Sequence, residues 1–279
     1  NLKKTTIQAT ETYGSRASNL MDAFTSELDW QEQVAYTDQL SKLTKKEIVA
    51  FANKYFGENY VCILKRKGED KNIIKVEKPP ITPVETNRDA QSAFVKQVNS
   101  MPATAVKPVW LDYNKDLQKT KIGPADFLYV QNKDNSLFRL RYRFDMGTWN
   151  DKKLGLAAQY LQFLGTDKMS AEEITKAFYK IACSFTVSAS AEFTTVTIEG
   201  LQENFSEAVQ LFEDVLQHCK GDEDALKSLK SRILKSRTDA KANKGAIMSG
   251  LVSYARYGNK NPFNYTMSDE ELNNTSAKE

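Results

Sequence analysis

The stretch "LFRLRYRFDM", residues 137–146, alternates between apolar and charged side chains. Successive side chains of a β-strand point to opposite faces, so this alternation predicts a strand with one buried face. A shift of one residue in the strand register would place arginines in the core, which fixes the orientation of the strand. The predicted buried set is Phe138, Leu140, Tyr142, Phe144 and Met146, and the exposed set is Arg139, Arg141, Arg143 and Asp145.

Further patterns along the chain define the fold class. The preceding "FLYV" and the turn-like "NKDN" indicate a hairpin partner for this strand, and two more strands are predicted at "CSFTVSAS" and "TTVTIEG". Helices are predicted at roughly 151–164, at 170–179 behind a capping box of Ser170 and Glu173, around 208–216, and at 222–243. This order of elements predicts an α+β fold with helices packed on a mainly antiparallel sheet.

The first 68 residues predict three helices and a closing strand. One helix carries Leu20, Met21, Phe24 and Leu28 on one face, and a second covers Trp30 and Val34 and ends near Leu43. The third begins at a capping box of Thr44 and Glu47 and turns Ile48, Phe51, Ala52 and Tyr55 inward. We expect these faces to pack on a core, followed by a strand at "NYVCILKRK", residues 59–67.

The proline distribution divides the chain. Six of the seven prolines lie at residues 79–124, where each removes a backbone donor and favours extended chain. The sequence therefore predicts an N-terminal region at residues 1–68, a proline-rich linker at 69–124 and a second region at 125–279. We expect apolar groups within the linker to lie against a neighbouring domain.

Composition argues against two classes of partner. The net charge is +3, which is too small to indicate nucleic acid, and no apolar run approaches the ~20 residues that span a bilayer. The most basic stretch, residues 227–241, also carries leucine and isoleucine at helical spacing. That spacing predicts a core-facing stripe beneath a solvated basic face, so we expect no nucleic-acid partner and no membrane span.

Few residues suit catalysis. A catalytic zinc needs about three protein ligands, whereas His218 is the one histidine, and its place near a helix end favours a structural role. Phosphate-loop spacing and a serine nucleophile motif are both missing from the sequence. Cys62, Cys183 and Cys219 are odd in number, and the apolar runs around Cys62 and Cys183 predict buried thiols instead of a disulfide framework.

Two quoted stretches carry a family resemblance: "LGLAAQYLQFLGTDK" from residue 154, and "SAEEITKAFYKIACSFTVSASAEFTTVTIEGLQENFSEAVQLFEDVL" from residue 170. In their order they resemble the core of the insulinase/pitrilysin family of zinc metallopeptidases. The resemblance extends through "LTKKEIVAFANKYFGENYVCIL" and "KPPITPVETNRDAQSAFV" before them and "YARYGNKNPFNYTMSDEEL" after them. It implies the metallohydrolase-like fold of that family.

The resemblance also implies where zinc chemistry would stand. The family motif H-x-x-E-H places two histidines one helical turn apart with a glutamate base beside them. Those positions correspond here to Leu156, Tyr160 and Gln159, and the later helix that carries a third ligand reads "KSRT" at residues 235–238. Leucine has no donor atom and a glutamine amide cannot take a proton at neutral pH. The resemblance therefore implies a vacated site, with no catalytic or metal-binding residue in this chain and substrate contacts left unknown.

The resemblance implies an internal segment of a large two-half bacterial enzyme. Residues 1–68 would close the catalytic half, and we expect them to pack only partly, with exposed strand edges and apolar surface. Residues 125–279 would form the first domain of the metal-free half, cut at its C-terminal end. Zinc would be bound outside the segment, and its partners would be peptide or unfolded substrates and the catalytic half of the same protein. The compartment is unknown from the sequence, and export to the periplasm is compatible with the resemblance. The alternative is a non-enzymatic scaffold of the same fold with no metal in either half.

Overall fold

The computed structural model describes residues 1–68, 74, 76–83 and 86–278. Residues 69–73, 75, 84 and 85 of the predicted linker lie outside the described residues. The helices are α1 Leu2–Ala9, α2 Tyr13–Thr25, α3 Trp30–Ser41, α4 Lys45–Tyr55, α5 Ala93–Ser100, α6 Leu154–Tyr160, α7 Ala171–Lys180, α8 Phe205–His218, α9 Glu223–Ala240, α10 Lys244–Tyr257 and α11 Asp269–Asn274. The strands are β1 Gln118–Ile122, β2 Ala125–Tyr129, β3 Leu137–Phe144, β4 Cys183–Ala189 and β5 Thr194–Leu201.

The chain folds as two compact units. One contains residues 1–41 and 131–279, and the other contains residues 42–130. The boundaries of these units differ from those of the predicted regions at 1–68, 69–124 and 125–279. The three predicted regions remain a prediction about domain organisation.

The larger unit is built around a three-stranded antiparallel sheet in the order β3-β5-β4. Alternate residues of these strands point toward α7 and α8 and form one apolar cluster. Ile198 at 0% exposure and Phe212 at 1% lie at its centre. Phe138, Leu140 and Tyr142 pack against it as predicted, whereas Phe144 is 53% exposed and Met146 is 49% exposed, so the predicted buried face ends at Tyr142. The α+β fold class is confirmed.

The opposite face of the sheet is covered at one end by α1. Leu137 and Leu201 are register partners on this face, and both are buried together with Ala182. Ile7 of α1 packs against these three residues, and the Lys3 ammonium lies 3.2 Å from a Glu203 carboxylate oxygen. The N-terminal helix therefore completes the larger unit by covering an apolar row that the alternating pattern of β3 leaves on the polar face.

Several apolar helix faces near the N-terminus are exposed. The helices α2 and α3 form as expected, but the described part of α2 buries only Ala23, while Phe24 is 84% exposed. In the smaller unit α4 begins with the predicted Thr44–Glu47 capping box, yet Ile48 and Phe51 are more than half exposed. The helices form where the local sequence predicts them. Their apolar faces do not pack on a core as periodicity alone suggests, and the exposed apolar surface is what the expected partial packing of residues 1–68 predicts. The other residues of the predicted apolar faces that are exposed are Leu20, Met21, Leu28, Trp30, Val34 and Tyr55.

Two strand predictions in and beside the smaller unit are also wrong. Residues 59–67 form no strand, and "FLYV" contributes to β2, which pairs with β1 and not with β3. The β1–β2 turn explains the second error, because Gly123 with a φ of 59° provides the left-handed residue that a two-residue hairpin needs. Trp110 of the predicted linker is 83% exposed, and a helix, α5, forms where none was predicted.

The helices after the sheet confirm the amphipathic predictions and add two elements. Leu226 and Leu229 of α9 are buried beneath its basic face, and α10 and α11 follow it. None of the described helices has the length and the apolar composition to cross a bilayer. Cys183 is buried, and burial raises the pKa of its thiol. Cys62 is exposed, so its predicted core position is wrong.

Candidate functional site

Helix α6 carries the positions that the family resemblance assigns to zinc chemistry. Leu156 and Tyr160 are four residues apart and therefore share one helix face. Leu156 is 7% exposed and belongs to an apolar cluster, and Tyr160 packs against that cluster from its edge. The buried residues of the cluster are Leu156, Leu226, Leu229, Met267 and Leu272. The helix face that would hold a metal in the family is thus part of a hydrophobic core that joins α6, α9 and α11.

The Tyr160 hydroxyl fastens α6 to the start of α9. It lies 2.6 Å from the Asp222 carbonyl oxygen, to which it donates, and it accepts from the Asp222 backbone N–H, also at 2.6 Å. Burial, with smaller contributions from nearby acidic groups, raises the pKa of Tyr160 above the ordinary value for a phenol. The hydroxyl therefore keeps its proton at neutral pH. Asp222 is also the N-cap of α9, where its carboxylate accepts from the Ala225 N–H at 2.9 Å.

Gln159 faces solvent beside this core. Its side-chain amide donates to the Gly155 carbonyl oxygen one turn earlier, at 3.0 Å. A carboxamide provides an acceptor oxygen and donor N–H groups but no basic atom, so it cannot activate a water molecule by taking its proton. The bond is local to α6, and the residue makes none to α9 or α11 within the described structure.

The segment at residues 235–238 holds no carboxylate, and its side chains stabilise the surroundings of α9. The Arg237 guanidinium donates to an Asp269 carboxylate oxygen at 2.5 Å and to the Met267 carbonyl oxygen at 2.8 Å. The Lys235 ammonium lies 2.8 Å from a carboxylate oxygen of Asp239, the first carboxylate after the segment, and both side chains are exposed. Arg237 therefore holds the beginning of α11 against α9, on the side from which Met267 and Leu272 enter the core.

The C-terminal segment is the part of this site that the sequence patterns did not reveal. Lys230 donates to the Asn273 carbonyl oxygen at 3.1 Å and also to that of Thr275, and a Glu223 carboxylate oxygen accepts from the Ala277 N–H at 2.9 Å. These bonds hold residues after α11 along α9. A capping box of Ser268 and Glu271 marks the start of α11. This local pattern is the sequence signal from which the helix could have been predicted.

His218 does not contribute to this core. Its Nδ1 atom lies 3.0 Å from an Asp214 carboxylate oxygen one turn earlier on α8, and the side chain is 46% exposed. In the described ranges, histidine, cysteine and carboxylate side chains nowhere gather in a group of three or more that could hold a metal ion. The expectation that this segment binds no zinc remains a prediction for direct measurement.

Comparison with known proteins identifies the region that contains this site. Residues 144–270 match the model of the insulinase family, peptidase family M16. The chain also resembles the peptidase M16 inactive domain from Pseudomonas fluorescens, at 21% identity and a TM-score of 0.49, over 58% of this chain and 41% of that one.

Two further solved structures are similar. The periplasmic protease PqqL from Escherichia coli matches 85% of this chain with 24% of its own, at 12% identity and a TM-score of 0.49. A protease from Helicobacter pylori matches 58% of this chain with 41% of its own, at 15% identity and a TM-score of 0.47. The chain thus spans less than half the length of each of these proteins. A search of curated proteins gives no match.

Proposed function

We propose that the chain is a non-catalytic segment of a zinc-dependent metalloendopeptidase, because its residues 144–270 match the model of the insulinase family of peptidases. The observation that supports the proposal is the state of α6. Its family zinc positions hold Leu156 and Tyr160, and both side chains make structural contacts to α9. Such a helix suits a half of the enzyme that keeps the fold and leaves the chemistry to its homologous partner.

The side chains at these positions do not fit a zinc ion. Leu156 provides no donor atom and lies in an apolar core, and the Tyr160 hydroxyl is engaged by both backbone groups of Asp222. Zinc sites use histidine, cysteine or carboxylate ligands, and Gln159 replaces the carboxylate that would act as base. We therefore place the zinc ion and its ligands in another part of the protein.

The segment would then serve as wall and hinge of a chamber that two homologous halves form around their substrate. Its proposed partners are peptides or partly unfolded chains and the catalytic half of the same protein. The bacterial origin and the export to the periplasm belong to the same proposal and rest on the family resemblance alone.

The test uses the full-length protein. We expect an H-x-x-E-H motif upstream of this segment. Replacing the glutamate of that motif by glutamine should abolish cleavage of a fluorogenic peptide, whereas Gln159→Ala should leave kcat/KM within roughly twofold, because Gln159 touches no reacting group. Loss of cleavage in Gln159→Ala, with the fold intact by circular dichroism, would overturn the proposal. A full-length sequence without the motif would instead favour the scaffold reading.

A further inference from the structure

The sheet face that points away from α7 and α8 is polar and strongly basic on one strand. Beyond the apolar row under α1, the strand register sets three residues side by side in each of three further rows. We call these nine residues the arginine face. Its rows are Arg139, Glu199 and Ser184; Arg141, Thr197 and Thr186; and Arg143, Thr195 and Ser188.

Two of the three arginines are neutralised within the chain, and the central one is not. Arg139 Nε lies 3.0 Å from a Glu199 carboxylate oxygen. Arg143 Nε lies 3.2 Å from an Asp145 carboxylate oxygen, and its guanidinium stacks over the Phe193 ring at 4.4 Å from the ring centre. Arg141 is exposed and has no carboxylate partner among the residues that the structure describes. A positive charge therefore remains at the centre of the face.

The neighbours of Arg141 are small hydroxyl groups. Its row continues through Thr197 on β5 to Thr186 on β4, and both can donate a hydrogen bond to an anionic oxygen. At one end of the face the Lys4 ammonium of α1 lies 3.5 Å from the Ser184 hydroxyl and adds a further positive charge. Glu199 is the one carboxylate among the nine residues, and Arg139 already pairs with it.

We propose that the arginine face binds an extended acidic peptide segment, with one carboxylate taken by Arg141. The three arginines are two residues apart along β3, which corresponds to about 6.6 Å at a strand rise of about 3.3 Å per residue. An extended peptide has the same spacing between alternate side chains, so a carboxylate that faces Arg141 leaves the side chains two positions before and after it over Arg139 and Arg143. The Arg141 guanidinium can bind a carboxylate through two parallel hydrogen bonds.

Charge density favours a peptide over a nucleic acid as the occupant. Glu199 and Asp145 leave the face with a small net positive charge, whereas a duplex presents one negative charge per ~1.7 Å of its axis and is bound through many phosphates. Rows of threonine and serine hydroxyls also suit the carbonyl groups of a peptide backbone. The inference concerns binding alone and does not depend on the proposed peptidase role.

The experiment measures fluorescence anisotropy of a labelled peptide that alternates glutamate and threonine, titrated with the purified chain. We expect saturable binding that weakens with added salt, and no binding of the matched peptide that alternates glutamine and threonine. Arg141→Gln should weaken binding roughly tenfold, the scale expected for a lost charge-assisted hydrogen-bond pair. Lys241→Gln, which removes one exposed positive charge at the C-terminal end of α9, is the matched control and should leave the affinity unchanged.

Thr197→Val supplies a second variant that keeps all charges, and it should weaken binding by a smaller factor. Three results would overturn the inference: no binding of the acidic peptide by a folded chain, equal binding of the glutamine peptide, or equal losses in Arg141→Gln and Lys241→Gln. The last would show general charge attraction, and a solvated sheet face would then explain the arginines.

Discussion

Replacing Tyr160 by phenylalanine tests whether its hydroxyl, at a position that the proposal assigns to a lost zinc site, has a structural role. The variant keeps the ring that packs beside Leu156 and removes the hydroxyl that bonds both backbone groups of Asp222 at 2.6 Å. A hydrogen bond contributes about 0.5–1.5 kcal/mol net, so two bonds set an upper limit of about 3 kcal/mol. Asp222 is exposed, and water can replace part of what is lost. We therefore expect a loss of about 1–2 kcal/mol in the free energy of unfolding of the larger unit.

Thermal unfolding followed by near-ultraviolet circular dichroism measures this loss. For a unit of this size 1 kcal/mol corresponds to about 2–4 °C in Tm, so the variant should melt about 2–8 °C below the wild type. Tyr179→Phe is the matched control, because Tyr179 is 68% exposed and its hydroxyl has no hydrogen bond to any described residue. Equal melting temperatures for the two variants would refute the structural role of the Tyr160 hydroxyl.

Three further predictions follow from packing, backbone pairing and titration. Leu156→His places an imidazole in an apolar core and should cost about 2–4 kcal/mol in urea unfolding; an unchanged midpoint would mean that Leu156 is not packed as described. Amide hydrogens of residues 59–67, which form no strand, should exchange faster than those of β3, and the reverse order would contradict the described pairing. The bonds from Ser170 lower the pKa of the Glu173 carboxyl below its ordinary value of 4.5. The stabilisation by this carboxylate is therefore present above that value and lost as the pH falls through the lowered pKa. Wild type and Glu173→Ala should thus differ in stability at neutral pH and converge in acid, and a constant difference would exclude the linkage.

The elements that sequence patterns predicted correctly are those fixed by neighbouring residues. The capping boxes of Ser170 and Thr44 form as expected, since both partners lie within one helical turn. The alternation in β3 places its arginines outside and three of its apolar residues inside for an equally local reason. Strand identity and helix starts could therefore be predicted without knowing what packs against them.

The errors concern contacts between residues far apart in the sequence. Periodicity in α2 and α4 identified an apolar face, but it carries no information on whether another element covers that face. Ile7 packs on Leu137, 130 residues away in the sequence, a contact for which the pattern of β3 gave no sign. β2 was predicted to pair with β3 because the turn-like residues 132–135 lie between them. The chain instead turns at Gly123, so β2 pairs with β1.

The candidate site shows the same division. The family resemblance assigned the zinc positions to Leu156, Gln159 and Tyr160, and their unsuitability for zinc, which follows from side-chain chemistry, stays a prediction. It did not reveal that Tyr160 bonds to Asp222, 62 residues away, or that Leu272 shares a core with Leu156. Those contacts depend on the approach of α9 and α11 to α6, which only the folded chain specifies.

The central proposal is that this chain contains the fold of a zinc peptidase half without its chemistry. Elemental analysis of the purified chain after dialysis against zinc, together with cleavage of a fluorogenic peptide with and without added zinc, tests the claim most directly. The account predicts far less than one zinc per chain and no cleavage above buffer in either condition. Stoichiometric zinc that is lost together with cleavage in Gln159→Ala or Tyr160→Phe would contradict the account and make α6 a working site.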